Sequence, residues 1–259
     1  MSALHDNADL AVLGGGPGGY VAALRAAQRG ARVVLIEKER VGGTCLNVGC
    51  IPTKVLTTVT ELLLRAKQSA RCGLSIPQAG VDLPTLMAYK RSTVEQLVGG
   101  VEQLLKARRV TLMRGEAQII KPDSLSIADS SGGRREISAQ RVILAPGSVS
   151  ATPPVAGCNL PGVMTSTGAL DIQTIPPRLV VVGGGVIGLE FACIYEALGS
   201  QVSVLEMTPA ILPGATDETI AKRLHMLLRR RGMEIQTSTV VKRIERIGES
   251  LRVFAETAG

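Results

Sequence analysis

The sequence predicts an α/β fold in which one strand, glycine-loop, helix, strand unit occurs twice. The first copy starts with an apolar strand at 10–13 and passes through Gly14-Gly15-Gly16-Pro17-Gly18-Gly19. It continues with a helix at 20–29 capped by Gly30, then a strand at 31–36 that ends at Glu37. The second copy has a strand at 179–182, Gly183, Gly185 and Gly188, a helix at 189–198 capped by Gly199, and a strand at 201–205 ending at Glu206. Glycines, cap and acid recur at identical spacing. Composition agrees: 45% of the 259 residues are apolar, with no Trp, 3 Tyr and 2 Phe. Aliphatic cores of this kind suit parallel strands covered by helices.

A lone G-x-G-x-x-G is a weak signal; the same motif between a strand and a helix, with an acid closing the next strand, is a strong one. Gly14 permits a tight turn, Gly16 lets backbone approach a pyrophosphate, and Gly19 lets helix and strand pack closely. The helix N-terminus then faces the phosphates, and Glu37 can accept hydrogen bonds from ribose hydroxyls. Gly183, Gly185, Gly188 and Glu206 repeat these roles. Two Rossmann-like dinucleotide-binding domains are expected, 1–150 and 151–259, the second interrupting the first and truncated. The Pro-, Gly-, Ser- and Thr-rich stretch 149–178 is the crossing between them.

Between the copies lies Gly42-Gly43-Thr44-Cys45-Leu46-Asn47-Val48-Gly49-Cys50-Ile51-Pro52-Thr53-Lys54. A helix is expected from 55 to 70, with Pro52 suited to its first turn. Cys50 then lies at a helix N-terminus, whose partial positive charge favours thiolate, and Lys54 adds a cation. A structural disulfide fits poorly with a cytosolic chain. A zinc site fits poorly with this wide spacing and with His5 and His225 far off. Two unpaired core thiols remain beside a redox pair. Cys72, Cys158 and Cys193 have no paired spacing and read as ordinary thiols.

Elsewhere, 72–88 reads as irregular and 88–108 as a helix interrupted by Gly99-Gly100. Short apolar pieces from 110 to 144 read as a small antiparallel meander that closes on Ala145-Pro146-Gly147-Ser148. After Glu206, a helix is expected at 217–231 capped by Gly232, with strands at 234–236, 240–247 and 251–255. The net charge of +7 is spread over short basic clusters such as Arg229-Arg230-Arg231. Without stacking aromatics this argues for a solvated basic face and against nucleic-acid binding. No targeting segment shows and no run approaches the ~18 apolar residues of a membrane span, so a cytoplasmic protein is expected.

The string from Gly42 to Lys54 resembles the redox-active stretch of the dihydrolipoamide dehydrogenase branch of the flavin disulfide reductases. The resemblance covers the whole chain, as roughly the N-terminal half of such an enzyme. A nicotinamide exchanges hydride, a thiol pair exchanges two electrons, and a flavin couples them. The redox stretch follows the first site, so FAD is expected there and NAD in the second. The resemblance implies a disulfide between Cys45 and Cys50, with Cys50 as the thiolate against the flavin and Cys45 exchanging with dihydrolipoamide. It implies that Lys54 pairs with Glu190 close to the flavin. Gly43, Thr44, Gly115-Glu116-Ala117, Ala145, Gly147 and Ser148 would contact FAD, and Val241 would lie near the NAD adenine. The implied reaction is dihydrolipoyl dehydrogenase, passing hydride to NAD. The implied partners are a lipoyl domain of a 2-oxo acid dehydrogenase complex and, for the parent enzyme, a second copy. Pro146 departs from the family's usual Thr. The family's Gly-Asp flavin segment, dimerisation domain and His–Glu base are unmatched, so an incomplete fragment is expected. A mercuric or glutathione reductase type and a non-catalytic nucleotide-binding remnant are the alternatives.

Overall fold

The computed structural model describes residues 7–129 and 131–257; His5 lies outside them. The chain forms two compact units, Met1–Pro52 with Arg91–Val149, and Thr53–Lys90 with Ser150–Gly259.

The elements of the first half, in order, are β1 (Asn7–Leu13), α1 (Pro17–Gln28), β2 (Val33–Glu37), α2 (Gly43–Val48), α3 (Cys50–Gln68), α4 (Leu83–Ala107), β3 (Thr111–Arg114), β4 (Glu116–Lys121), β5 (Ser124–Ala128) and β6 (Arg134–Leu144). Six strands make one sheet in the order β3-β2-β1-β6-β5-β4. Strand β2, Val-Val-Leu-Ile-Glu, is buried along its whole length, as a parallel strand covered on both faces must be. Val33 and Leu35 join one apolar cluster with Val12, Ala23 and the helix residues Val94, Val98, Val101 and Leu105. Val34 and Ile36 join another on the opposite face, with Ala11, Leu125, Ile127 and Ile137.

Three expectations change here. Helix α4 starts at Leu83 and runs unbroken through Gly99-Gly100. Each glycine costs about 1 kcal/mol against Ala, but the buried stripe Val94, Val98, Val101 and Leu105 recurs every three to four residues, at about 1.5–3 kcal/mol per side chain. Second, only β4, β5 and β6 form the antiparallel meander. Strand β3 follows a long helix and therefore returns parallel, beside β2. Third, the thiol stretch is helical: α2 occupies 43–48, and α3 begins at Cys50 itself.

The second half adds α5 (Ser166–Ala169), β7 (Arg178–Val182), α6 (Val186–Leu198), β8 (Gln201–Leu205), α7 (Glu218–Arg230), β9 (Glu234–Gln236), β10 (Thr239–Ile247) and β11 (Ser250–Thr257). Strands β7, β8 and β9 form a parallel sheet, and β10 pairs with β11 as an antiparallel hairpin. Helix α7 is capped by the Asp217 carboxylate, which accepts the Thr219 N–H at 2.8 Å. The core of this unit joins Ala192, Ile194, Tyr195, Val202 and Val204 to Leu56, Leu86 and Met87. The stretch 149–178 is not wholly irregular: it holds α5, and Ala156 bridges to Arg243. Among the described residues no strand lies on the outer edge of β7, where Val180 and Val182 are 41% and 51% exposed.

Candidate functional site

The first glycine loop closes the C-terminal end of β1. Gly14 has a φ of +99°, and a Cβ there would fall 2.0 Å from the Ala145 carbonyl oxygen. A Cβ on Gly19 would fall 1.8 Å from the Gly14 oxygen. At Gly16 the nearest atom to such a Cβ is 3.8 Å away, on Gly43, so this backbone is open to a ligand. The structure gathers the other sequence-predicted residues of the unit around the loop. The Glu37 carboxylate accepts the Gly15 N–H at 2.6 Å and the Glu39 N–H at 2.8 Å. Gly115 donates its N–H to the Glu37 carbonyl, Ala145 to that of Leu13, and Gly42 to that of Gly15. Gly14, Gly16, Gly19, Glu37, Gly43, Gly115 and Ala145 thus converge at the carboxyl ends of parallel strands, where open α/β sheets bind ligands. Ala117 lies further along, in β4 opposite Ile127. Thr44, Gly147 and Ser148 are exposed.

Cys45 sits half-buried in α2, and Cys50 is exposed as the first residue of α3. Both are free thiols. Burial pushes the Cys45 thiol up, and a hydrogen bond with Cys50 adds to the effect. Lys54 follows one helical turn after Cys50, and its ammonium pairs with the Glu190 carboxylate on α6. Their side chains are 61% and 31% exposed, so the pair is open to solvent. Asn47 went unnoticed in the sequence. Its amide donates to the carbonyls of Val41 and Gly43, at 3.1 and 2.9 Å, and so ties down the turn ahead of Cys45. The signal was its place between the two cysteines.

The second loop repeats the first. Gly183 has a φ of +107°, and a Cβ on Gly188 would fall 2.1 Å from the Gly183 oxygen. A Cβ on Gly185 would meet nothing within 4 Å. The Glu206 carboxylate accepts the Gly184 N–H at 2.6 Å, and the Thr208 N–H and hydroxyl at 2.7 and 2.8 Å. Burial works to raise the Glu206 pKa, but these hydrogen bonds outweigh it and hold the acid below the usual carboxylate range. Val241 is buried against Leu205 and Ile244, which commits its side chain to a local apolar cluster.

Two dinucleotide-type loops with a thiol pair beside the first form a rare combination. The family model for pyridine nucleotide-disulphide oxidoreductases matches residues 8–259. The chain belongs to this family. Among oxidoreductases of known name, it is 43% identical to a dihydrolipoyl dehydrogenase of Pseudomonas aeruginosa over 87% of this chain and 49% of that one. It is 37% identical to a leghemoglobin reductase of Vigna unguiculata over 98% of this chain and 49% of that one. Among solved structures it is similar to the HOCl-induced flavoprotein disulfide reductase RclA from Escherichia coli. That match has a TM-score of 0.82 at 30% identity, covering 96% of this chain and 53% of that one. The chain spans about half the length of the relatives it matches.

Proposed function

We propose that this chain is the cofactor-binding part of a dihydrolipoyl dehydrogenase, with FAD at the first glycine loop and NAD at the second. The observation that carries the reading is the presence in one chain of two complete dinucleotide loops and a thiol pair, Cys45 in α2 and Cys50 opening α3. The residues suit the cofactors: Gly16 and Gly185 leave backbone exposed where a pyrophosphate would approach, and α1 and α6 begin there. Glu37 at the end of β2 and Glu206 just after β8 would each accept hydrogen bonds from an adenosine ribose. A bound flavin supplies a two-electron relay between a dithiol and a nicotinamide.

The chain's own part is thiol chemistry. The Cys45–Cys50 disulfide is attacked at Cys45 by one thiolate of dihydrolipoamide, releasing the Cys50 thiolate. The second substrate thiol then displaces Cys45, leaving lipoamide as a disulfide and both cysteines reduced. The start of α3 at Cys50 favours the negative charge released on that sulfur. Relatives named dihydrolipoyl dehydrogenase, at 36–43% identity, support the lipoamide substrate. The lipoyl domain of a 2-oxo acid dehydrogenase complex is the proposed partner and the cytoplasm the proposed location. Among the described residues no helix is long and apolar enough to cross a membrane.

The test is an anaerobic thiol count. Incubating the oxidised chain with dihydrolipoamide should expose two new thiols, at Cys45 and Cys50, with formation of one lipoamide. No gain of thiols at those positions would reject the reading.

A further inference from the structure

The two acids that close the glycine loops are not held alike. Each accepts the N–H of its loop's second glycine at 2.6 Å. Each also accepts the backbone N–H two residues downstream, from Glu39 at 2.8 Å and from Thr208 at 2.7 Å. Among the described residues Glu206 differs in accepting a side-chain donor as well, the Thr208 hydroxyl at 2.8 Å. That hydroxyl also lies 2.7 Å from the Ala210 carbonyl, so its one proton is shared between two acceptors, the acid and the turn that follows it. The Thr208 carbonyl in turn accepts the Ser238 N–H at 2.8 Å, which fixes the residue from the other side.

An ionised carboxylate offers about four acceptor sites. At Glu206 the Gly184 N–H, the Thr208 N–H and the Thr208 hydroxyl hold both oxygens in place, so the carboxylate presents a fixed acceptor to an incoming hydroxyl. The acid is 5% exposed, so without its donors it would swing away or take up a proton more readily. A fixed carboxylate admits a hydroxyl donor and repels a phosphate. The turn Met207-Thr208-Pro209-Ala210 carries no cation that could receive a phosphate instead.

We propose that Thr208 is a positioning residue that sets nucleotide specificity at the second site, by fixing Glu206 as an acceptor for an unphosphorylated ribose. This rests on the assignment of a nicotinamide dinucleotide to that site. Losing a hydrogen bond to a charged group in such a place changes affinity by about tenfold or more.

The experiment is calorimetric titration of the 259-residue chain with NAD and, separately, with NADP. It is run on the wild type and on the variants Thr208→Val, Thr208→Ala and Thr208→Ser, with thermal unfolding of each. The wild type should prefer NAD by about tenfold to a hundredfold. Thr208→Val and Thr208→Ala should each cut that ratio about tenfold, and Thr208→Ser should restore it. A residue that only stabilised the turn would lower both affinities together and leave the ratio unchanged. An unchanged ratio in whichever of the Val and Ala variants folds would overturn the proposal. A wild type that binds neither nucleotide, or prefers NADP, would overturn the site assignment itself, and it does so before any variant is made.

Discussion

Lys54 and Glu190 lie 136 positions apart in sequence and meet as an ion pair. Both side chains reach solvent, at 61% and 31% exposure, so screening leaves the pair worth about 0–1 kcal/mol. Lys54→Met and Glu190→Gln should each cost less than about 1 kcal/mol in urea unfolding. A loss above about 3 kcal/mol would mark the pair as a buried strut.

The second loop separates a glycine needed by the fold from one whose backbone the fold leaves open. A Cβ on Gly188 would overlap the Gly183 oxygen at 2.1 Å, whereas one on Gly185 meets nothing. Gly188→Ala should destabilise the protein by about 1–3 kcal/mol. Gly185→Ala should leave stability within about 0.5 kcal/mol. Chemical denaturation of both variants checks this. Equal losses would mean that the open backbone at Gly185 is not left for a ligand.

Burial and the hydrogen bond with Cys50 raise the Cys45 pKa, so at a given pH less of it is thiolate than in an ordinary cysteine. In the reduced chain, alkylation of Cys45 should therefore lag behind that of a free model thiol. It should catch up only as the pH rises above the usual thiol range. After air oxidation both cysteines should resist labelling until a reductant is added. Full labelling of both in oxidised protein would exclude the disulfide.

Much of this was legible because it repeats. The glycines, caps and acids of the two loops mark strands and helices by turn chemistry alone, and the structure has β1, α1, β2, β7, α6 and β8 there. The convergence of Gly43, Gly115 and Ala145 on the first loop is tertiary and could only be suggested by resemblance. Helix α2 is flanked by Gly42-Gly43 and Gly49, poor helix formers that mask it in the sequence. It forms because Gly42 supplies a left-handed turn, with a φ of +97°, and Asn47 pins that turn. Thr208 carries no motif; its importance comes from where its hydroxyl points.

A positioned base contributes about 10²–10⁴-fold to thiol attack. Among the described residues the histidine available is His225, whose Nε2 is buried without a partner and whose pKa is lowered by burial and by Arg229. The 259-residue chain by itself should therefore oxidise dihydrolipoamide far more slowly than the longer dihydrolipoyl dehydrogenases. A steady-state assay with NAD and added FAD checks this, and rates equal to theirs would show that a base has been overlooked.

One chain is expected to hold two separate dinucleotide sites with different occupants. This is tested most directly by equilibrium binding of FAD and NAD to the wild type, Gly16→Ala and Gly185→Ala. The expected result is one FAD and one NAD per chain, with Gly16→Ala losing only FAD and Gly185→Ala losing only NAD. Competition of the two nucleotides for a single site, or loss of both in either folded variant, would contradict it.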